Sequence, residues 1–334
     1  MRKKTKKKIK KFFITIVLIG LLFLFTFFFN KELFQQLKDK IALEYNNVKQ
    51  EIKDKLQIKD KEKEVIKIDS IDLDSDFMVF FLDVGQADSI LIKSKDEFML
   101  IDAGNNKDGK KIVNYFNTLG ITNFKYVFGT HAHEDHIGGM DDIIKNFKIE
   151  NFYMPDVTTT TASFLDVLNA LEKKKVGFKT PVIDSIMPLG DATVETIYVG
   201  DKTKEDLNDT SIVLKVTYKD TSFLFTGDAT SNVEREIANK NIRSTLLKVG
   251  HHGSKYSSNA LFLTKVAPSY AVISCGKNND YGHPHDVVVN KLEKIHAQIF
   301  RTDILGTIVV TSDGKELTFK NIYTNTDGDN YEKT

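Results

Sequence analysis

The chain has 334 residues, enough for a full hydrophobic core and more than one average domain needs. Its formal net charge is +1, but residues 1–75 hold 18 Lys and Arg against 11 Asp and Glu, a net +7, which leaves 29 against 35, a net −6, for the remainder. The acidic excess argues against long-range capture of polyanions by the larger part, and the sole cysteine, Cys275, excludes an internal disulfide.

Residues 2–11 carry Arg2, Lys3, Lys4, Lys6, Lys7, Lys8, Lys10 and Lys11, and Phe12 to Phe29 follows without a charge. Eighteen helical residues at ~1.5 Å each span roughly 27 Å, close to the bilayer core. The expectation is one uncleaved membrane anchor with its basic flank in the cytoplasm and the chain from about Asn30 onward outside. A cleaved signal peptide is the rival reading, but its apolar stretch would be shorter and end in small residues, whereas this one ends Thr26-Phe27-Phe28-Phe29-Asn30-Lys31. Phe34, Leu37, Ile41, Tyr45, Val48, Ile52 and Leu56 then recur at a mean step of about 3.67, one stripe of a helix. That helix is either a stalk, able to pair with a copy of itself, or a segment laid against the domain or the bilayer surface. Lys59 to Glu64 is a mixed charge run suited to a solvated helix face or linker. The expected boundaries are 1–30 for flank and anchor, 31–75 for stalk or linker, 76–325 for a catalytic domain and 326–334 for a tail.

From Phe77 the pattern changes to short apolar runs between turns. Met78 to Val84, Ser89 to Lys93, Phe98 to Ile101 and Phe124 to Gly129 read as strands, with helices at Lys110 to Leu119 and from Met140 to Phe147. A second strand-rich half follows: Ser211 to Tyr218, Ser222 to Thr226, Leu246 to Val249, Tyr270 to Ser274, Gln298 to Arg301 and Thr307 to Thr311. Helices fall between these at about Ser231 to Lys240, Asn259 to Val266 and Asp286 to His296. Two sheets flanked by helices predict an α/β/β/α sandwich. Val157 to Asp206 has few motif matches and is expected to cover a substrate mouth. Cys275, in an apolar run, reads as core.

Chemistry concentrates in Thr130-His131-Ala132-His133-Glu134-Asp135-His136, where three imidazoles and two carboxylates follow a strand-like segment. Imidazole nitrogen and carboxylate oxygen are the donors of zinc and related ions. Three later segments also end apolar or turn stretches on ligand-type residues: Phe223 to Asp228, Leu246 to Ser254 and Tyr281-Gly282-His283-Pro284-His285. Seven of the eight histidines lie in these clusters; His296, in a helix-like stretch, is the exception.

The order His-x-His-x-Asp-His, Thr226-Gly227-Asp228 and a strand-end His resembles the metallo-β-lactamase fold hydrolases from about Phe77 to Lys320. Phe81 to Ser89, Leu100-Ile101-Asp102-Ala103-Gly104, Leu247 to Ser254, Gly282-His283-Pro284-His285 and Arg301-Thr302-Asp303-x-x-Gly306 are similar to the hydrolase domain of ComEC-type DNA-uptake competence proteins. The resemblance implies a four-layer α/β/β/α metallo-β-lactamase sandwich. It implies His131 and His133 on one ion, Asp135, His136 and a late His on another, and Asp228 bridging them. The late ligand maps onto His251, with His252 as an alternative ligand or substrate contact. Two ions about 3.5 to 4 Å apart hold and deprotonate a water, so metal-bound hydroxide is the nucleophile and no Ser or Cys is required. No histidine occurs between His136 and His251, where many relatives have a third imidazole for the first ion. One tightly held zinc ion with a weaker second one follows, and oxygen-rich ligation would admit manganese.

Around this set, Asp102 is expected to orient a ligand imidazole. Asp83 and Asp88 either hold the same loop or cap turns. Asn208 or Asp209 donates to metal, substrate or water, or else caps the strand that follows. His283, beside Pro284, is a phosphate contact or proton donor to the leaving group, while His285 caps the helix at Asp286. Ser254, Ser257 and Ser258 contact a phosphate or cap the helix at Asn259. Asp135, Asp228 and His283 thus carry the catalytic expectation. The function expected is a membrane-anchored, extracytoplasmic, metal-dependent hydrolase of phosphodiester bonds, with DNA as the first substrate. Full ComEC-type proteins also carry a multi-span channel and an oligonucleotide-binding domain, and one span cannot make that channel. Alternatives are a cell-wall or small-molecule phosphoesterase such as a phosphorylcholine esterase, a lactone or β-lactam hydrolase, and a non-catalytic metal-binding module.

Overall fold

The computed structural model describes residues 73–322. The expected anchor and stalk lie outside these residues, and no helix among the described residues is long and apolar enough to cross a membrane.

The chain forms β1 (Phe77–Phe81), β2 (Ser89–Ser94), β3 (Glu97–Ala103), α1 (Gly109–Thr118), β4 (Asn123–Phe128), α2 (Glu134–Ile137), α3 (Met140–Asn146) and β5 (Lys148–Tyr153). Next come α4 (Ala162–Lys174), β6 (Phe178–Lys179), β7 (Ile186–Leu189), β8 (Ala192–Tyr198), β9 (Val213–Tyr218), β10 (Thr221–Phe225) and α5 (Ser231–Ile237). It closes with β11 (Leu246–Lys248), α6 (Ala260–Val266), β12 (Tyr270–Ile273), α7 (Asp286–Lys294), β13 (Gln298–Arg301), α8 (Thr302–Leu305), β14 (Thr307–Ser312) and β15 (Leu317–Ile322).

One sheet has the order β15-β14-β1-β2-β3-β4-β5-β6 and the other β13-β12-β11-β10-β9-β8-β7. The unbroken apolar run of β1 shows why they stack. Phe77, Val79 and Phe81 face the core between the sheets with Leu214, Val216, Phe223 and Phe225, while Met78 and Phe80 face a helical layer with Ile112, Phe116 and Ile143. Outside the second sheet, Leu224, Leu247 and Ile273 pack on Val233 and Ile237 of α5, Phe262 and Leu263 of α6, and Val288 and Leu292 of α7. A strand covered on both faces needs no alternation, which is why these strands read as continuous apolar stretches. The result is the four-layer sandwich.

Two expectations change. Val157 to Asp206 holds α4 and supplies β6, β7 and β8, the far edges of both sheets, and none of the residues lining the cleft that contains His133, His251 and His283 comes from it. Its short strands are largely exposed, so they lack the apolar runs that mark the central ones. Strand β5, paired in parallel with β4, places exposed Lys148 and Glu150 on either side of buried Ile149, so no apolar run marks it in the sequence.

Strands β3, β4 and β5 run parallel in one sheet, and β10, β11, β12 and β13 in the other. Loops leaving the carboxyl ends of such strands are where side chains from distant segments can meet.

Candidate metal centre

The turn after β1 and the loops after β4, β8, β10, β11 and β12 line one cleft of about 300 Å³, bounded by Gln86, His133, Glu134, Asp135, Asn208, Asp228, His251, His252, Tyr281 and His283. Within it Asp135, His136, Asp228 and His252 each present a ligand atom, and the four atoms lie within 4.8 Å of one another. His136 Nε2 is 3.2 Å from Asp228 Oδ1, and His252 Nε2 is 3.3 Å from Asp135 Oδ2 and 3.7 Å from Asp228 Oδ2. His136 Nε2, His252 Nε2 and Asp228 Oδ1 are buried without a hydrogen-bond partner. Each such atom costs about 1–3 kcal/mol, and a cation ligated by imidazole nitrogen and carboxylate oxygen would relieve that cost. The donor set therefore fits a divalent metal.

The remaining nitrogens of these rings are turned outward and engaged. Asp102 Oδ2 accepts from His136 Nδ1 and from Thr130 Oγ1, both at 2.7 Å, and Asp102 Oδ1 accepts from Thr130 N at 2.8 Å. Having donated its proton to Asp102, the Thr130 hydroxyl accepts from His131 Nδ1 at 3.1 Å, and His131 Nε2 then accepts from His133 Nδ1 at 3.0 Å. One buried carboxylate thus sets the tautomers of three imidazoles. Asp102 itself has φ +59°, a left-handed conformation uncommon outside glycine, which turns its side chain back toward the loop after β4.

His252 is fixed in the same way from the opposite side. Its Nδ1 donates to Ser274 O at 2.9 Å, which leaves the lone pair on Nε2. Asp88 Oδ1 lies 3.5 Å from that Nδ1, and Asp88 Oδ2 accepts from Lys248 Nζ at 2.8 Å. Lys248 is fully buried at the end of β11. The carboxyl groups of Asp88 and Asp102 also gather near His136; both Asp102 oxygens and Asp88 Oδ2 are engaged in this support, while Asp88 Oδ1 is buried without a hydrogen-bond partner.

Electrostatics follow from this packing. Burial disfavours a charged His136, yet Asp228, Asp102 and Asp135 outweigh it and hold the ring pKa well above its ordinary value. Burial likewise opposes charge on Asp228 and Asp135, but the imidazoles of His136 and His252 keep both carboxyls well below theirs. A cation needs the ring neutral, so metal binding should release the proton that these carboxylates favour on His136. His131 is driven well below its usual value by burial and by His136. His283 is pushed down to about 4 by burial and by His252, His251 and His285.

The structure brings most of the expected residues together and separates others. The four-donor convergence contains His252 where the sequence reading had put His251. His251 and His252 both have φ +52°, and that double left-handed turn swings the second ring, not the first, into the buried centre. His251 remains adjacent, its Nε2 3.7 Å from Asp228 Oδ2 and its Nδ1 buried without a partner. His131 and His133 pair with each other beside the cluster. Asn208 lines the cleft with its Oδ1 buried and unpartnered. Asp228 N donates to Ser211 Oγ.

Asp83, Asp209, Ser254 and His285 serve elsewhere. Asp83 Oδ1 accepts from Gly85 N in the turn after β1. Asp209 Oδ1 accepts from Thr230 N and Oγ1 and fastens the start of α5. Ser254 Oγ accepts from Tyr256 N. His285 occupies the N-cap position of α7 but makes no side-chain cap; its Nδ1 accepts from Lys255 N, because the ring is turned to the loop before α6. Ser257 Oγ donates to Ala229 O, and Ser258 N donates to Glu234 Oε1. Thr130, Gln86, Lys248 and Tyr281 were not read as site residues. All four lie within the segments singled out in the sequence, and Lys248 in addition breaks an apolar strand with a lone charge.

Comparison with known proteins gives a consistent picture. A family model described as the metallo-beta-lactamase superfamily matches residues 82–277. ComE operon protein 3 of Bacillus subtilis (strain 168) is 30% identical over 256 residues, covering 71% of this chain and 33% of that protein. Competence protein ComA of Neisseria gonorrhoeae is 27% identical over 230 residues, covering 68% of this chain and 31% of that one. The chain spans about a third of the length of these curated relatives. Among solved structures, CmlA, a diiron beta-hydroxylase from Streptomyces venezuelae, aligns with a TM-score of 0.50 at 13% identity, over 71% of this chain and 54% of that one, a likeness of fold.

Proposed function

Because the chain belongs to the metallo-β-lactamase superfamily and is a metal-dependent hydrolase of that fold, we propose that it cleaves phosphodiester bonds, with DNA as first substrate. In this reading it works outside the cell on the amino-terminal anchor, and it self-associates through the stalk. The observation that carries it is the open cleft over inward, unpartnered donors, with neutral His283 at its rim. Similarity to competence proteins supports DNA, as does Tyr281, 69% exposed and stacked on His283 at 5.5 Å, where an unpaired base can lie. The small cleft and the acidic charge of the domain favour the second reading, a cell-wall or small-molecule phosphoester such as a phosphorylcholine ester.

Asp135, His136, Asp228 and His252 would hold one ion, zinc first and manganese as the alternative; His251, whose Nε2 is 3.7 Å from Asp228 Oδ2, would serve a weaker second one, and His131 and His133 would join it only by giving up their hydrogen bond to each other. Bound there, the metal supplies Lewis acidity and a water deprotonated at neutral pH. The chain's own residues do the rest. Asp102 and Ser274 O hold His136 and His252 with their lone pairs inward, Ser211 orients the Asp228 backbone, and Asn208 and His283 are placed to receive the substrate.

The test is hydrolysis by the purified full-length chain, stripped of metal and resupplied with zinc or manganese, on single-stranded DNA, bis-p-nitrophenyl phosphate and p-nitrophenyl phosphorylcholine. Metal-dependent DNA cleavage lost in Asp228→Asn and weakened in Tyr281→Ala is expected. Turnover of the small esters alone moves the assignment to the second reading, and inactivity on all three rejects both.

A further inference from the structure

Gln86 lies in the turn between β1 and β2 and lines the cleft beside His283. Its side-chain amide is held at both ends. Gly276 N, which can only donate, is 3.0 Å from Gln86 Oε1, so the carbonyl end faces Gly276 and the NH2 end faces His283, with Nε2 3.1 Å from His283 Nδ1. An NH2 group can donate but has no lone pair to offer a ring N–H. His283 Nδ1 must therefore be the acceptor, and the ring proton must sit on Nε2.

The surrounding backbone holds both partners of Gln86 in place. A Cβ at Gly276 would lie 2.7 Å from Gln86 N, so the chain approaches Gln86 at a distance only glycine permits. Asn279 closes the loop between them: its Nδ2 donates to Gly276 O at 2.9 Å and to His283 O at 2.6 Å, and its Oδ1 accepts from His283 N at 2.9 Å.

We infer that Gln86 is a positioning residue that locks His283 as a neutral Nε2–H donor to an anionic oxygen of the substrate. Adding a proton at Nδ1 would set a ring N–H against the amide N–H, so the lock also selects between the two roles open to His283. It gives a hydrogen bond to charge developing on the substrate and transfers no proton to the leaving group. The donor role rests on the phosphoester reading; the tautomer does not.

The experiment uses the full-length chain labelled with 15N-histidine, His283 being identified by the signals lost in His283→Gln. In the parent, two-bond proton–nitrogen correlation should show the His283 proton on Nε2. Gln86→Glu has the same shape and still accepts from Gly276 N, but it offers His283 an oxygen, so the proton should move to Nδ1. Metal-loaded Gln86→Glu should then hydrolyse bis-p-nitrophenyl phosphate with kcat about 100-fold lower and little change in KM. Gln86→Leu, which removes both contacts, should show a mixture of tautomers if the isosteric variant does not fold. A parent His283 protonated on Nδ1, or a tautomer indifferent to these changes, overturns the lock. A tautomer shift with unchanged kcat overturns the donor role and leaves the phosphoester reading intact. A parent inactive on every phosphoester rejects that reading, while the spectrum still decides the lock.

Discussion

Asp102 reaches His136 directly and His131 through the Thr130 hydroxyl, so its effect on the centre exceeds that of one hydrogen bond. Asp102→Asn keeps the shape but puts an NH2 group where one acceptor was. It should lower metal affinity about 10–100-fold, as measured by competition with a chelating dye; an unchanged affinity would show that Asp102 does not orient the ring. The two adjacent histidines separate in the same assay. His252→Ala removes a buried donor from the four-atom convergence and should abolish tight binding of the first ion, whereas His251→Ala should weaken a second equivalent and spare the first. The reverse order would return the ligand to the position read from sequence. The motif was legible because its donors sit close together along the chain, but which of two adjacent rings turns inward depends on backbone angles that residue type does not reveal.

At the scale of elements, Glu234 ties α5 to the loop before α6, accepting from Ser258 N at 2.5 Å, Asn259 N at 2.7 Å and Asn259 Nδ2 at 2.8 Å. Burial pushes its carboxyl up to about 7 from 4.5, against the pull of those donors. Between these values the folded protein holds a proton that the unfolded chain has lost. The associated stability is therefore fully present below about 4.5 and disappears as pH rises through about 7. The change is about 3 kcal/mol at most. Urea unfolding at pH 5 and pH 8 should show the parent losing more stability on going to the higher pH than Glu234→Gln does. Equal pH dependence would mean that this carboxyl stays ionised throughout. The helices themselves were legible from apolar stripes and from caps such as Asn259, whose Oδ1 accepts from Phe262 N. Their tie through Glu234 was not, since an acidic residue on a helix ordinarily reads as a solvated face.

For the molecule as a whole, the centre joins loops from both sheets, and an ion bound there links them only in the folded state. Zinc at 100 times its dissociation constant should stabilise the protein by about 2.7 kcal/mol and raise Tm by roughly 5–10 °C. Thermal melts with and without chelator measure this, and Asp228→Asn should remove most of the shift. A melting temperature indifferent to chelator would mean that the convergence holds no metal.

The sequence by itself determined the fold class and the neighbourhood of the site. Strands buried on both faces must be written as continuous apolar runs, and metal donors delivered at their ends must follow those runs directly. Tertiary structure alone decided that Val157 to Asp206 builds sheet edges, that Lys248 is buried against Asp88 beneath His252, and that Gln86 meets His283 across 197 positions of chain. These are contacts between segments remote in sequence. Local residue pattern carries burial and turn preference, but it carries no record of which distant atom completes a hydrogen bond.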